Sequence, residues 1–143
     1  MERLPEFIAN HLFLFSLLVS LLILLAWNLF GDSVSGIKSI LPAELTRMMN
    51  HQNAAVVDLR SQSDYKNGHI INSMNIPMAD IQTRKDELNK FKDRPLIFYC
   101  QAGMDSGRAI RGFRHEGFSE LYLLKGGLQA WKNASMPVTR DET

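Results

Sequence analysis

The sequence predicts an α/β domain, a mostly parallel central sheet flanked by helices, preceded by one N-terminal apolar helix. Three observations carry this. Short β-rich apolar runs, Ala54–Asp58, Leu96–Tyr99 and Leu121–Leu124, alternate with helical patterns. No hairpin turn signal separates the runs, so their pairing is expected to be parallel, with both faces of the sheet covered. Finally, the stretch from Phe7 to Phe30 contains no Asp, Glu, Lys or Arg.

Composition bounds the rest. The chain has 143 residues, a formal net charge of +1 and one cysteine. After the apolar block there is room for a single globular domain. One cysteine excludes an internal disulfide framework and any zinc site needing two thiolates. His11, His51, His69 and His115 are scattered without ligand spacing, so no metal site is expected. No run of Lys or Arg forms a basic patch, which argues against nucleic acid as a partner.

As a helix, Phe7–Phe30 would reach about 36 Å, against ~30 Å of bilayer hydrocarbon. Its apolar residues lie all round, unlike those of an amphipathic surface helix. Trp27 suits an interfacial position and Asn28 the membrane exit. A cleaved signal peptide is the alternative, with Gly31–Gly36 as a weak cleavage region. The length of the apolar stretch speaks against it, as does a leader in which Arg3 is offset by Glu2 and Glu6. Lys38 and Arg47 after the span, and a lone thiol best kept in a reducing compartment, place the C-terminal domain in the cytoplasm. The expectation is a single-pass protein of a bacterial inner membrane: an anchor over 1–30, a linker over 31–36 and a domain over 37–143. The lipid bilayer is then a partner through the N-terminal helix, and a membrane-protein partner is compatible with the anchor.

Beyond the small, polar tether Gly31–Gly36, Ile37–Leu41 reads as a short strand or turn. Pro42 suits the first turn of a helix carrying Leu45, Met48 and Met49 and ending near Asn50. Ala54–Asp58 is a buried strand. A long polar loop, Arg60 to Asn75, leads through Ile76-Pro77 to a charged stretch, Met78–Asp93, with helical turns. Leu96–Tyr99 is a strand ending at Cys100. The next helix is expected to be N-capped by Asp105 or Ser106, to turn Ala109, Ile110 and Phe113 inward, and to stop at Gly117 in the left-handed C′ position beside Phe118. Leu121–Leu124 is another buried strand, followed by Gly126-Gly127 and a short helix with Leu128 and Trp131 in the core.

The chemistry concentrates at Cys100-Gln101-Ala102-Gly103-Met104-Asp105-Ser106. In open α/β sheets the carboxyl end of a strand is where ligands sit. Amides of such a loop, and of the helix it opens, would point at the sulfur and favour negative charge there. Two readings stay open on these residues alone: a reactive thiolate, or a buried cysteine acting as a small hydrophobe.

Taken in order, four pieces resemble the rhodanese (sulfurtransferase) family: Val56-Val57-Asp58-Leu59-Arg60; Gly68-His69-Ile70-Ile71-Asn72-Ser73-Met74-Asn75-Ile76-Pro77; the Cys100–Gly103 loop; and Gly126-Gly127, Trp131 and Pro137. In the second piece Asn72-Ser73 stands where the family pattern has Gly-Ala. The resemblance implies sulfur transfer through a persulfide on Cys100, with a small sulfur donor or a protein persulfide as partner and no cofactor. An ordinary thiol is only a few per cent ionised at pH 7, so such a nucleophile needs activation.

One position departs from the pattern. Many active members of the family carry Arg or Lys five positions after the cysteine, where this chain has Asp105. A carboxylate there repels a thiolate, less so if it turns away to cap the helix. Arg108, beyond the loop, is the nearest candidate to supply that charge, read either as a solvated helix residue or as a substrate contact. It lies eight positions after Cys100, which argues against a Cys-x5-Arg phosphatase. Asp58 reads as a structural partner of Arg60, Arg60 as a second candidate for the pocket mouth, and His69 as an organiser of its loop. The expected function is a membrane-tethered sulfurtransferase or persulfide carrier, its donor a protein persulfide or small organic thiol species rather than thiosulfate. The alternative is a catalytically weak interaction or regulatory module at the membrane.

Overall fold

The computed structural model describes residues 11–34 and 37–141, with the side chains of the first stretch given as far as Trp27. The chain divides into two units, Met1–Gly36 and Ile37–Thr143. In the first, helix α1 spans Leu12–Val34. Ser16 and Ser20 satisfy their hydroxyls by donating to the helix's own carbonyls, Ser16 Oγ to Phe13 O and Ser20 Oγ to Ser16 O, both at 2.8 Å. Among the described residues no helix is long and apolar enough to cross a membrane. Residues 1–10 and 35–36, with Arg3, Glu2, Glu6 and the start of the apolar stretch among them, lie outside the described residues. The tether was expected to begin at Gly31, but the backbone stays helical to Val34. No proline interrupts the hydrogen-bond ladder there.

The second unit holds a five-stranded sheet of order β1-β5-β4-β2-β3, in which every strand pair is parallel. The strands are β1 (Lys38–Ile40), β2 (Ala55–Asp58), β3 (Met74–Asn75), β4 (Leu96–Tyr99) and β5 (Leu121–Leu124). The helices are α2 (Pro42–His51), α3 (Gln62–Asn67), α4 (Met104–Phe113) and α5 (Gly127–Asn133), with a 3-10 helix over Lys85–Phe91. β4 is central, and all four of its residues are buried. Alternation along it sends Leu96, Phe98 and then Cys100 to one face, against Ala109, Ile110 and Phe113 of α4. Ile97 and Tyr99 go to the other, against Leu45, Met48, Leu128 and Trp131. This double burial is why the strand reads as an unbroken apolar run. From β2 the chain leaves toward β3, and from β4 it leaves toward β5. The switch point of the strand order therefore falls between these two neighbours, at whose carboxyl ends Asp58 and Cys100 stand.

Several expectations are corrected. The polar loop Arg60–Asn75 contains α3, capped by Ser61 Oγ, which accepts the Asp64 N–H at 3.2 Å, and the short strand β3. α3 has no buried residue and β3 has two residues, so neither leaves a hydrophobic period. α4 begins at Met104 behind Gly103, with no side-chain cap, rather than behind Asp105 or Ser106. Gly103 has φ +96°, which turns the chain into the helix at once. At its other end α4 stops at Phe113, and a further turn, closed by Glu116 N–H to Phe113 O at 3.1 Å, precedes Gly117. Gly117 is left-handed as expected (φ +82°), but at the end of that turn, with Phe118 edge-on to Phe113 at 5.5 Å.

Candidate active site

The site begins where β4 ends. Cys100 is buried, 4% exposed, and its Sγ accepts the Gly103 N–H at 2.9 Å. The carbonyls of the same loop point elsewhere. Cys100 O accepts the Leu128 N–H at 2.9 Å, and Gln101 O accepts the Gln129 N–H at 3.1 Å. These are first-turn amides of α5, which no intrahelical carbonyl can satisfy. Docking α5 this closely requires its glycines. A Cβ on Gly127 would lie 2.8 Å from Gln101 O and closer still to Cys100 O, and both Gly126 (φ +73°) and Gly127 (φ +59°) are left-handed. A Cβ on Gly103 would stand 3.3 Å from Gly126 N. Two tight turns, one per glycine motif, thus aim the loop's carbonyls at α5 and leave an amide on the sulfur.

The rim of the loop is open. Gln101, Ala102, Met104 and Asp105 are exposed, Met104 by 87%, while Gly103 is half-buried. Asp105 sits in the first turn of α4, where the positive end of the helix favours a carboxylate. Ser106 is fully buried on the inner side of the same turn. Arg108 is exposed, one turn into α4. Residues 101–106 include no cation.

Asp58 and Arg60 form a buried pair. Arg60 donates Nη2 at 2.6 Å and Nε at 3.1 Å to Asp58 Oδ2, and its own N–H to Asp58 Oδ1 at 2.9 Å. Nη2 also donates to Gly68 O at 2.7 Å, and the guanidinium stands 5.9 Å from the Tyr99 ring centroid. Burial opposes the Arg60 charge, but the Asp58 carboxylate outweighs it and holds the group above its ordinary range. These contacts make Arg60 a tie between the end of β2 and the following loop. Burial, then the charge of Asp58, pushes the Tyr99 phenol well above its ordinary value.

His69 is also engaged. Its Nδ1 lies 2.8 Å from Tyr65 O, its ring stacks on Tyr65 at 3.8 Å, and its backbone exchanges two hydrogen bonds with Thr139, each 2.8 Å. Tyr99 is the residue that sequence reasoning passed over. Its hydroxyl accepts the Ile70 N–H at 3.2 Å and lies 3.2 Å from Ser73 Oγ, tying the strand before Cys100 to the His69 loop. In an apolar strand its ring reads as core and its hydroxyl goes unnoticed. Asn75 Nδ2 donates to the carbonyls of Asp58 and Arg60 at 3.1 and 3.0 Å, a second bridge missed for the same reason. Asn72 is left-handed at φ +59°, so asparagine can stand where the family pattern has glycine. Among the described residues no group of three or more His, Cys, Asp or Glu could hold a metal ion.

Comparison with known proteins bears on this geometry. The family model of the rhodanese-like domain matches residues 41–134. The uncharacterized protein YibN of Escherichia coli is 31% identical over 141 residues, covering 98% of this chain and 99% of the relative. Thiosulfate sulfurtransferase GlpE of Coxiella burnetii is 30% identical over 95 residues, 66% of this chain and 87% of that protein. The crystal structure of a rhodanese-related protein from Thermoplasma volcanium superposes with a TM-score of 0.66 at 26% identity, covering 73% of this chain and 99% of the other.

Two substitutions test these contacts. Gly127→Ala forces a Cβ onto the Cys100 carbonyl in a strained backbone conformation. It is expected to destabilise the domain by about 1–3 kcal/mol in urea unfolding and to slow alkylation of Cys100. A wild-type midpoint with wild-type alkylation would refute the docking argument. The second concerns pH. The folded Tyr99 holds its proton above its ordinary value of 10.0, so its contribution is intact below pH 10 and is lost as pH rises above it. Tyr99→Phe leaves the buried Ile70 N–H without its acceptor and should be less stable at neutral pH by about 1–3 kcal/mol. Its stability should nevertheless fall less steeply than wild type between pH 10 and about pH 11. Parallel curves would show that Tyr99 does not carry this titration.

Proposed function

Because this chain belongs to the family of rhodanese-like domains, we propose that it is a sulfurtransferase or persulfide carrier that takes sulfane sulfur onto Cys100. The observation that carries this reading is the Gly103 N–H on Cys100 Sγ at 2.9 Å, in a loop whose carbonyls are turned to α5. Such an arrangement stabilises negative charge on the sulfur without a cofactor. In the first half-reaction the thiolate attacks the outer sulfur of a donor R–S–SH. The new S–S bond forms as the old one breaks, and its electron pair leaves on R–S⁻. In the second, an acceptor thiolate attacks the outer sulfur of the Cys100 persulfide, and the Cys100 thiolate departs. No net oxidation occurs across the cycle.

The donor follows from charge. With Asp105 exposed at the loop and no cation over residues 101–106, a thiosulfate dianion meets repulsion, whereas a protein persulfide or a small organic persulfide need not. The same Asp105 shares the positive end of α4 with the sulfur. This specific observation favours the second reading, a catalytically weak interaction module that retains the fold.

Intact mass of the full chain in detergent separates the two. Glutathione persulfide is expected to add one reducible sulfur, about 32 Da, to wild type and none to Cys100→Ala. Thiosulfate should load wild type poorly and Asp105→Arg about tenfold faster. Absence of loading by either donor, under conditions that load an active thiosulfate sulfurtransferase, would leave the interaction module.

We further propose that the N-terminal helix tethers the domain to a membrane, with the domain on the cytoplasmic side. Supporting this, the side chains from Leu12 to Trp27 are exposed, Phe13 by 78% and Trp27 by 77%, and the charge-free stretch extends beyond them at both ends. The full chain should stay with the membrane fraction after alkaline carbonate washing. A reporter fused after Thr143 that works only in the cytoplasm should be active. Release by carbonate would refute the tether, and a silent, well-expressed reporter the orientation.

A further inference from the structure

Ser106 Oγ is, among the described residues, a buried side-chain oxygen with no hydrogen-bond partner, and its residue is 0% exposed. Buried hydroxyls are almost always paired, and leaving one unpaired is costly, so this orphan needs a physical account. Serines in helices often donate to the carbonyl one turn back, as Ser20 does to Ser16 O in α1. Ser106 does not. Its place in the fold suggests why. It lies on the inward stripe of α4, one turn before Ala109 and Ile110, which pack in the same cluster as Cys100. Side chains in a helix lean toward its N-terminus, and the N-terminus of α4 is Gly103, the residue whose amide holds the sulfur. The hydroxyl therefore leans into the loop from the core side. The Gly103 amide already donates to the inner sulfur, so a second sulfur bonded to Sγ is open to a further donor.

We propose that the Ser106 hydroxyl is the hydrogen-bond donor for the outer sulfur of a Cys100 persulfide, a partner it gains only when the site is loaded. This rests on the persulfide-carrier reading. It makes Ser106 a residue for holding and passing the transferred atom, distinct from the backbone amide that holds the thiolate. No oxidant is needed, since the outer sulfur arrives from R–S–SH with R–S⁻ leaving, and the hydroxyl only donates to it.

The test compares wild type and Ser106→Ala as full chains in detergent. Each is equilibrated with mixtures of glutathione persulfide and glutathione and scored by intact mass, and thermal midpoints are taken for reduced and loaded samples. In the reduced state Ser106→Ala should be at least as stable as wild type, because it removes an unpaired buried group. The loading equilibrium constant should fall about three- to tenfold, and the midpoint gained on loading should shrink. Loading of wild type with equal loading of Ser106→Ala would overturn this assignment alone. So would a clear loss of stability in reduced Ser106→Ala, which would mean that the hydroxyl already has a structural partner. Failure of wild type itself to load would overturn the carrier reading and this assignment with it.

Discussion

The site hangs on a contact between two backbones. The first free amides of α5 take the carbonyls of Cys100 and Gln101, and only a residue without Cβ at position 127 lets the two segments come that close. Holding those two carbonyls on α5 fixes the path of the loop, and the next amide along it, that of Gly103, meets the sulfur. A single docking event thus satisfies the start of one helix and polarises the start of another. It also explains why a glycine pair some twenty-five positions downstream belongs to the chemistry of Cys100 as much as the loop itself does.

Charge is distributed less uniformly around this site than geometry is. The Asp58–Arg60 pair is buried and internally balanced, and it holds the end of β2 against the Gly68 carbonyl. Breaking such a pair by removing one partner typically costs about 3–5 kcal/mol, whereas the exposed ion pair Arg84–Glu87 contributes far less. At the loop itself the only ionisable side chain besides the thiol is Asp105. Under the proposed function the positive end of α4 would be shared by a Cys100 thiolate and the Asp105 carboxylate, and that competition, rather than any defect of the loop's shape, would narrow the range of donors.

Much of the sheet was legible because β4 and β2 are buried on both faces, and their apolar runs end at Cys100 and Asp58. The core stripe of α4, with Ala109, Ile110 and Phe113, showed its helical period for the same reason. What escaped reading was held by polar atoms or by backbone. α3 buries nothing, β3 is two residues long, and the hydroxyl of Tyr99 works from inside a strand whose ring looks like core. The start of α4 was misplaced because capping rules weigh side chains, here Asp105 and Ser106, whereas the turn is made by the positive φ of Gly103. A sequence shows that a glycine is present; only the fold shows what approaches it.

The pairing of the two ends of the domain has a consequence for how the protein is made. β1 lies at the edge of the sheet and its one partner is β5, while the His69 loop is closed by Thr139. The first contact needs residues 122–124 and the second Thr139, both far downstream of their partners. During translation Lys38–Ile40 emerges as an edge strand with no mate, and the segment carrying His69 waits for a residue seventy positions later. The central strand can collapse with β2 earlier, but closure of the domain is a late, non-local step. Nascent chains of this protein therefore pass through a stage with an open sheet edge, the kind of edge that invites mispairing.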